Sequence, residues 1–358
     1  MTNAPSIDVI GGVDTHKEVH AAVAISGSGA HLAATAIPAS NKGYAALEAW
    51  AKAMGEIRAF GIEGTGSYGA GLSRFLRERG HAVFEVNRPN RQLRYQKGKS
   101  DAVDAESAAR SVLAGQAVGQ PKSGTGTVEM IRHLKIARDT AVKSRTQAMQ
   151  TLKAIIVCSP DALREQLDQV SGKMTLVRRL AALRPGPLTS TLASAKTSLR
   201  AIALRWLLLD AEIKQHDAHL ETLTAARAPD LLKAHGMATG TAAEMLPLVG
   251  DSPERIHSDA AFAKLCGICP LPASSGKINR HRLNRGGNRQ ANAALYRVVI
   301  VRMRGHQPTL DYLRRRTAEG KSKSEIIRCL KRYAAVKSSA ISAVSKPWPM
   351  RSQPALDR

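Results

Sequence analysis

The stretch Ile7-Asp-Val-Ile-Gly-Gly-Val-Asp14-Thr-His-Lys17 carries the first apolar run of the chain and ends that run on a carboxylate. Its apolar residues, up to Val13, predict a β-strand with Asp14 at its end. Two further short strands are predicted at Val19–Ile25 and His31–Ile37, with turns between them. Three such strands in succession favour an antiparallel meander.

Helix and strand patterns alternate after the meander. The order is a helix with Tyr44, Leu47, Ala51 and Met54 at helical spacing, a strand over Ile57–Ile62 ending at Glu63, a helix over Leu72–Leu76 and a fifth strand over Ala82–Val86. Three strands followed by strand–helix units is the order of the α/β ribonuclease H-like fold, in which the first and fourth strands lie side by side. That adjacency would bring Asp14 and Glu63 together, although 49 residues separate them.

Two more carboxylates, Asp101 and Asp104, lie one helical turn apart where a helix is expected to begin. With Asp14 and Glu63 they form a set of four acids that can converge on divalent metal. Two hard cations about 3.5 to 4 Å apart would stabilise the attacking and leaving oxygens of a phosphodiester during in-line displacement. The structural alternative is that Asp101 and Asp104 cap a helix, while Asp14 and Glu63 are solvent-facing strand ends.

The composition indicates nucleic acid as the partner. The 358 residues include 53 Lys and Arg against 29 Asp and Glu, and the formal net charge of +24 would attract a polyphosphate and release its counterions. From Leu271 onward there are 20 Lys or Arg and 4 Asp or Glu, a surplus of 16. A basic loop before Asp101 is interpreted either as a phosphate contact beside the metal site or as a solvated surface. Its cations are Arg88, Arg91, Arg94, Lys97 and Lys99.

The middle of the chain is predicted to be helical. A short seam of the coiled-coil kind, with steps of three and four residues, is formed by Trp206, Leu209, Ile213, His216, Leu220 and Leu223. Pro185 and Pro187 divide the region into at least two helices, so either an antiparallel helical pair or a dimerising stalk is expected. The predicted domains are a catalytic domain at 1–115, a helical region at 116–230, a further domain at 231–333 and a poorly ordered tail at 334–358.

Nothing in the sequence suggests export or membrane insertion. The start lacks a basic region followed by an apolar one, and no apolar run approaches the roughly 20 residues of a membrane span. A cytoplasmic protein is expected, and four cysteines fit a reducing compartment. Cys266 and Cys269, with His257 or His281, are a candidate zinc site, but a second Cys-x-x-Cys is missing. The favoured interpretation is that these thiols pack as small hydrophobic groups.

Five motifs together resemble one family in their order and spacing. They are Asp14-Thr-His-Lys17, Glu63-Gly-Thr-Gly66, Asp101-Ala-Val-Asp104-Ala105, Ser274-Ser-Gly-Lys277 and Arg285-Gly-Gly-Asn-Arg289. Across residues 8–333 the sequence resembles the DEDD transposases of insertion-sequence family one hundred and ten, the bridge-RNA-guided recombinases. The resemblance implies a RuvC-like catalytic domain, a helical coiled-coil connection and a mainly helical C-terminal transposase domain.

The resemblance also implies roles for single residues. Asp14, Glu63, Asp101 and Asp104 fall on the family's metal-binding tetrad, which would hold Mg²⁺, two ions per site, or Mn²⁺. Ser275 falls on the serine that attacks DNA and forms a covalent phosphoserine link, assisted by the metal site of a neighbouring protomer; the adjacent Ser274 stays an alternative. The expected phosphate contacts after the serine are Lys277, Arg280, Arg282, Arg285 and Arg289.

The function so implied is excision and insertion of an insertion sequence, guided by a structured bridge RNA. The expected partners are DNA, this RNA and further copies of the chain, as a dimer and as a tetramer on DNA. The expected location is the bacterial cytoplasm, where the protein would associate with the nucleoid. A RuvC-like Holliday-junction endonuclease would use the same carboxylates with water as the nucleophile. A non-catalytic nucleic-acid-binding protein would be expected to have lost one of the four acids.

Overall fold

The computed structural model describes residues 7–86, 100–117, 119–251, 255–256, 258–276 and 281–342, the side chains of 336–342 excepted. The chain divides into two compact units. The first runs to Gly126 and includes Gly250–Arg255, and the second comprises Thr127–Val249 and the chain from Ile256 onward. The predicted helical region and the predicted domain at 231–333 therefore share one unit.

The first unit is built on a sheet. Its described elements are β1 (Asp8–Thr15), β2 (Val19–Ser26), β3 (His31–Pro38), α1 (Asn41–Lys52), β4 (Glu56–Glu63), α2 (Ala70–Glu78), β5 (Val83–Val86) and α3 (Asp101–Leu113). Each strand begins and ends within two residues of its predicted bounds. The predicted order of strands and helices is confirmed.

The five strands lie in the order β3-β2-β1-β4-β5. Strand β1 pairs antiparallel with β2 and parallel with β4, and β4 pairs parallel with β5. The first and fourth strands are therefore neighbours, as predicted, and the mixed sheet is consistent with a ribonuclease H-like fold. Because β1 is the central strand, its polar end lies between two paired strand ends.

Helix α3 packs against one face of the sheet, where Ala105 and Ala109 meet Ile10 and other apolar residues of β1 and β2. The approach is close because Gly12 has no side chain. A Cβ at Gly12 would lie 2.0 Å from the carbonyl oxygen of Ala105 and 2.4 Å from the nitrogen of Ala109. The opposite face packs on α1 and α2 through the residues Val13, Ala22, Leu47, Phe60, Ile62, Leu72 and Leu76.

A buried carboxylate joins α1 to the end of α2. The side chain of Glu48 accepts hydrogen bonds from Lys52 Nζ at 2.7 Å and Arg79 Nε at 2.9 Å, and it lies 2.9 Å from His81 Nε2. The bonds from Lys52 and His81 lower the pKa of Glu48 below its ordinary value of 4.5. This group ties α1 to the turn between α2 and β5, on the side of the sheet opposite α3.

The second unit is mainly helical. Its described elements are α4 (Thr127–Val157), α5 (Asp161–Asp168), α6 (Lys173–Ala181), α7 (Thr191–Arg227), α8 (Pro229–Lys233), α9 (Thr239–Val249), α10 (Asp259–Leu265), β6 (Leu271–Pro272), β7 (His281–Arg282), α11 (Arg289–Gly305), α12 (Gln307–Ala318) and α13 (Lys323–Ser342). Pro185 and Pro187 lie between α6 and α7, where the sequence placed a break.

Helices α4 and α7 form an antiparallel pair. Arg138 Nε donates to Asp217 Oδ1 at 2.8 Å, and Arg145 pairs with Asp210. As the residue number increases along α4, the number of its partner on α7 decreases. The predicted seam faces α4 of the same chain, and its members Trp206, Ile213 and Leu220, seven residues apart, are at most 3% exposed. Of the two alternatives left open by the sequence, the structure contains the antiparallel helical pair. The seam is therefore occupied within one chain.

Two hydrophobic cores fill the second unit. One is formed by the C-terminal half of α4 and the N-terminal half of α7 with α5 and α6, and includes Leu152, Leu180 and Trp206. The other lies where α4 and α7 meet α9, α10, α11 and α13, and includes Ile131 and Leu220.

The last described helix extends into the predicted tail. Helix α13 continues to Ser342, and Ala334 and Ala335 are buried in the second core. Residues 334–342, predicted to belong to a poorly ordered tail, are therefore helical, because two alanines continue the apolar face of α13. In the part of the chain that the structure describes, no helix is long and apolar enough to cross a membrane.

Candidate functional site

Asp14 lies near the end of the central strand and is 9% exposed. Val13 pairs with Ile62 across β1 and β4, so the next residues along these parallel strands, Asp14 and Glu63, lie at the same edge of the sheet. Thr15 Oγ1 donates a hydrogen bond of 2.8 Å to the backbone oxygen of Glu63 and holds the two strand ends together.

Asp101 and Asp104 lie in the first turn of α3, as the sequence predicted. The N-cap of this helix is Ser100, whose side chain accepts from the backbone nitrogen of Val103 at 3.3 Å. Neither aspartate is therefore needed as the N-cap. Asp101 is exposed and Asp104 is 4% exposed, and the dipole of the helix favours both charges at this end.

A histidine that sequence reasoning did not assign to the site lies between two of the acids. His16 Nε2 is 3.3 Å from Asp14 Oδ2 and 3.5 Å from Asp101 Oδ1. One ligand atom from each of these three residues lies within 4.8 Å of the others. The available signal was the position of His16 two residues after Asp14, just beyond the end of the strand.

The electrostatics of Asp14 show that the acids are close. Burial raises the pKa of Asp14 above its ordinary value, His16 lowers it, and the negative charges of Asp104 and Asp101 raise it further. Asp14 therefore senses both acids of α3 from the end of β1. A cation held among them would relieve this repulsion.

Glu63 lies at the same edge of the sheet but outside the three-residue group. Its side chain is half-buried at the end of β4. The structure thus brings Asp14, Asp101 and Asp104 into one electrostatic cluster, whereas Glu63 is a neighbour through the strand register. A glutamate side chain has one more rotatable bond than an aspartate side chain. A change of rotamer therefore moves the Glu63 carboxylate further than it would move that of an aspartate.

The residues fit a hard divalent cation. Carboxylate oxygens are suitable ligands for Mg²⁺ and Mn²⁺, with metal–oxygen distances of about 2.0 to 2.2 Å. An imidazole nitrogen binds transition metals such as Mn²⁺ in preference to Mg²⁺. A set of ligand atoms within 4.8 Å of one another can surround one such ion. The chemistry of the donors therefore suits a divalent metal ion.

Ser275 lies in the second unit on a short two-stranded ribbon, here called the serine ribbon and comprising the described residues 271–276 and 281–282. Leu271 pairs with Arg282 and Pro272 with His281, and the chain between them carries Ser274 and Ser275. Both serines are exposed. Gly276 has φ +56°, a left-handed conformation that favours glycine and turns the chain directly after Ser275.

Part of the predicted basic contact set lies beside this ribbon. Arg282 ends β7, Arg289 begins α11, Arg285 lies between them, and all three are exposed. Other predicted contacts lie outside the described residues: Arg88, Arg91, Arg94, Lys97, Lys99, Lys277 and Arg280. The exposed arginines are available to phosphate oxygens.

Of the cysteine pair, Cys266 lies in the protein interior and Cys269 is half-buried beside it. Cys266 is fully buried in the second core, and burial raises its pKa to about 12. Among the described residues, the group with the spacing of metal ligands is that of Asp14, His16 and Asp101, and neither Cys266 nor Cys269 belongs to it. His257 lies outside the described residues. A buried, protonated thiol is a small hydrophobic group, in agreement with the favoured interpretation.

Two family models match the chain. A transposase model of the DEDD type, for IS110, matches residues 11–157, and a model described as transposase of the IS116/IS110/IS902 family matches residues 228–314. The first match contains the sheet and all four acids, and the second contains the serine ribbon and its arginines. Both models describe transposases, and the first is of the DEDD type, a domain that implies a divalent metal.

A similar protein is known from Streptomyces coelicolor. It is described as the insertion element IS110 uncharacterized 43.6 kDa protein, and it is 30% identical to this chain over 168 residues. The aligned part is 47% of this chain and 37% of that relative. The chain belongs to the IS110 family of transposases.

Proposed function

We propose that this transposase excises and inserts an insertion sequence by cutting and rejoining DNA at the acidic site and at Ser275. The observation that carries the proposal is the convergence of Asp14, His16 and Asp101 from a strand end and a helix start, with Asp104 close enough to raise the pKa of Asp14. Independent structural roles would not require three such groups at one edge of the sheet.

In this proposal Asp14, Glu63, Asp101 and Asp104 hold divalent cations, Mg²⁺ or Mn²⁺, in a RuvC-like site. A cation held there would polarise the scissile phosphate and ease departure of the leaving oxygen. His16 is in contact with Asp14 and Asp101, so it either shares in binding the cation or turns away when one enters. Glu63 completes the set by rotation of its side chain from the end of β4.

Ser275 is the nucleophile of the proposed reaction. Its Oγ forms a bond to phosphorus, the phosphorus–oxygen bond to the neighbouring nucleotide breaks, and the hydroxyl proton ends on the leaving oxygen. The phosphodiester bond energy is kept in the serine link, so a second strand can be joined by the reverse step without ATP. Exposure of Ser275 and the turn at Gly276 support this role, since the hydroxyl must reach a DNA backbone.

The exposed Arg282, Arg285 and Arg289 bind phosphate groups near the serine and offset charge that develops during the step. The net charge of +24 supports DNA and a structured bridge RNA as partners. With target choice delegated to base pairing by that RNA, the protein needs to bind mainly backbones. A location with the chromosomal DNA, in the cytoplasm, follows from these partners.

We also propose that the active form is oligomeric, a dimer that becomes a tetramer on DNA. Two DNA duplexes have to be held together during strand exchange, which favours a symmetric assembly. Because the Trp206 to Leu223 seam is occupied by α4, any coiled-coil contact between chains uses other residues of the α4–α7 pair.

A RuvC-like endonuclease is the alternative that uses the same acids. It needs no serine, because water would attack the phosphate. A match that includes the serine ribbon, over residues 228–314, supports the recombinase over this alternative. The presence of all four acids in the sequence argues against a purely binding role.

The test separates the two parts of the site. Asp14→Asn should abolish both Mn²⁺ binding and strand cleavage of element-end DNA, whereas Glu78→Gln, which removes an exposed carboxylate from α2, should change neither. Ser275→Ala should retain Mn²⁺ binding but form no protein–DNA adduct stable to denaturant, as read by mass spectrometry, with Ser274→Ala as the control for register. Cleavage that persists in Ser275→Ala without any adduct would replace the recombinase by the endonuclease.

A further inference from the structure

The two ends of the serine ribbon are held against each other. The chain enters the ribbon from the turn after α10 and leaves it into the start of α11. At this base a Cβ on Gly287 would lie 2.1 Å from the nitrogen and 2.2 Å from the Cα of Gly267, so the two backbones are in direct contact. The backbone nitrogen of Asn288 also donates to the oxygen of Leu265 at 2.8 Å.

A side chain from α11 clamps this base from the inside. Asn292 Nδ2 donates to the backbone oxygen of Gly267 at 2.9 Å and to that of Cys266 at 3.3 Å. These two carbonyls belong to the turn that ends α10, where Gly267 has φ +67°. One amide group thus binds the turn that leads into the ribbon to the helix that follows it.

The amide is itself fixed by a buried lysine from the last helix. Lys331 Nζ, in α13, donates to Asn292 Oδ1 at 2.8 Å, and the Lys331 residue is 7% exposed. Burial lowers the pKa of Lys331 below its ordinary value. An apolar residue would fill this place without the cost of desolvating an amine. The hydrogen bond from Lys331 fixes the orientation of the Asn292 amide, so that its Oδ1 faces the lysine and its Nδ2 faces the turn.

We propose that Asn292 and Lys331 are positioning residues that set the place of Ser275 for its reaction. The proposal rests on the proposed role of that serine. Strands of two residues, such as β6 and β7, do not hold a ribbon in place by their own pairing. Its orientation is therefore set at the base, by the Gly267–Gly287 contact and by the chain from Lys331 through Asn292 to the turn.

Substitutions at the two residues separate positioning from stability. Lys331→Met keeps the length of the side chain and removes the amine, and Asn292→Leu removes both the acceptor and the donors. The double variant leaves no polar side chain stranded, so its melting temperature should lie above that of Asn292→Leu, in which the buried amine of Lys331 has lost its acceptor. The clamp on the Gly267 carbonyl stays lost in the double variant. Lys323→Met, which removes an exposed amine from the same helix, is the control.

Hydrogen–deuterium exchange of the full chain reads the ribbon directly. Peptides covering residues 266–276 and 281–287 should exchange about tenfold faster or more in both single variants and in the double variant, while peptides of α4 and α7 keep their protection. The rate of formation of the Ser275–DNA adduct should fall by about tenfold or more in the same three proteins, because a displacement near 1 Å is enough for such losses. Lys323→Met should match the wild type in both measurements.

Unchanged exchange of the ribbon, or faster exchange spread evenly over the second unit, would overturn the inference. Local acceleration with an unchanged adduct rate would overturn it as well, since the ribbon would then be mobile without consequence. The Ser275→Ala variant tests the underlying function separately. If that variant still forms an adduct, the proposed nucleophile is wrong, whereas the exchange data still decide whether Lys331 and Asn292 hold the ribbon.

Discussion

Replacing Gly12 by alanine should separate the two halves of the acidic site although Gly12 touches no metal ligand. The glycine lies on β1, two residues before Asp14, and faces the backbone of α3. Asp101 and Asp104 begin that helix. The spacing between the strand end and the helix start therefore depends on how closely the helix packs at Gly12.

The size of the effect follows from the contacts. The new Cβ would lie 2.0 Å from the Ala105 oxygen, whereas carbon–oxygen contacts in proteins are about 3.3 to 3.6 Å, so α3 must move by about 1.3 Å or more. Both nearest atoms belong to the helix backbone, and no side-chain rotation can relieve the clash. Overpacking of this kind costs about 1–3 kcal/mol. A shift of that size is large beside a metal–oxygen distance of about 2.1 Å.

We expect Gly12→Ala to weaken Mn²⁺ binding by about tenfold or more and to lower the melting temperature of the protein. Titration calorimetry with Mn²⁺ and a thermal scan on the same sample measure both. Gly66→Ala is the matched control, because a Cβ at Gly66 meets nothing within 4 Å and that residue lies in the same unit. The control should bind Mn²⁺ and melt as the wild type does.

Wild-type affinity for Mn²⁺ in a destabilised Gly12→Ala protein would refute the reasoning, since the site would then not depend on the position of α3. Wild-type affinity and wild-type stability together would show that the sheet and helix are not packed as described.

Three further predictions concern other parts of the molecule. Glu48→Gln should remove a stabilisation that is present above pH 4.5 and lost as the pH falls through the lowered pKa of Glu48, so acid-unfolding curves of mutant and wild type should converge at low pH. At pH 8, iodoacetamide should modify buried Cys266 about a hundredfold more slowly than exposed Cys158, and a tightly bound zinc ion would contradict this assignment. The triple variant of Arg282, Arg285 and Arg289 to Gln should lower the salt dependence of DNA binding by up to about 0.9 in slope per lost phosphate contact, while Arg200→Gln on α7 should leave it unchanged.

Much of the first unit could be predicted from the sequence because its signals are local. Each strand is a short apolar run bounded by turn residues, and the order of strands and helices restricts the topology to one in which β1 and β4 are neighbours. Because β1 and β4 are neighbours in that topology, it also predicted that Asp14 and Glu63 lie at the same edge of the sheet. The start of α3 was readable from two aspartates one turn apart, although the residue that caps it is Ser100.

The parts that sequence did not predict depend on packing between distant segments. His16 is one of many polar residues after a strand, and only the position of α3 places Asp101 within 3.5 Å of it. The role of Asn292 depends on Lys331, which lies 39 residues further along the chain. Helix α13 also continues past Ala334, which the sequence did not predict. The small residues Ala334 and Ala335 are buried by tertiary contacts, but alanines alone do not form a strong apolar pattern.

The α4–α7 pair runs through both hydrophobic cores of the second unit. A helix of 37 residues, such as α7, is about 55 Å long, and its residues Leu199 and Trp206 lie in one core while Leu220 lies in the other. Melting of either core would leave an unsupported end on the same two helices, so the second unit should unfold in a single cooperative transition. A fragment of residues 116–230 would lack the helices that cover Ile131 and Leu220, and it would expose that apolar surface and associate with itself.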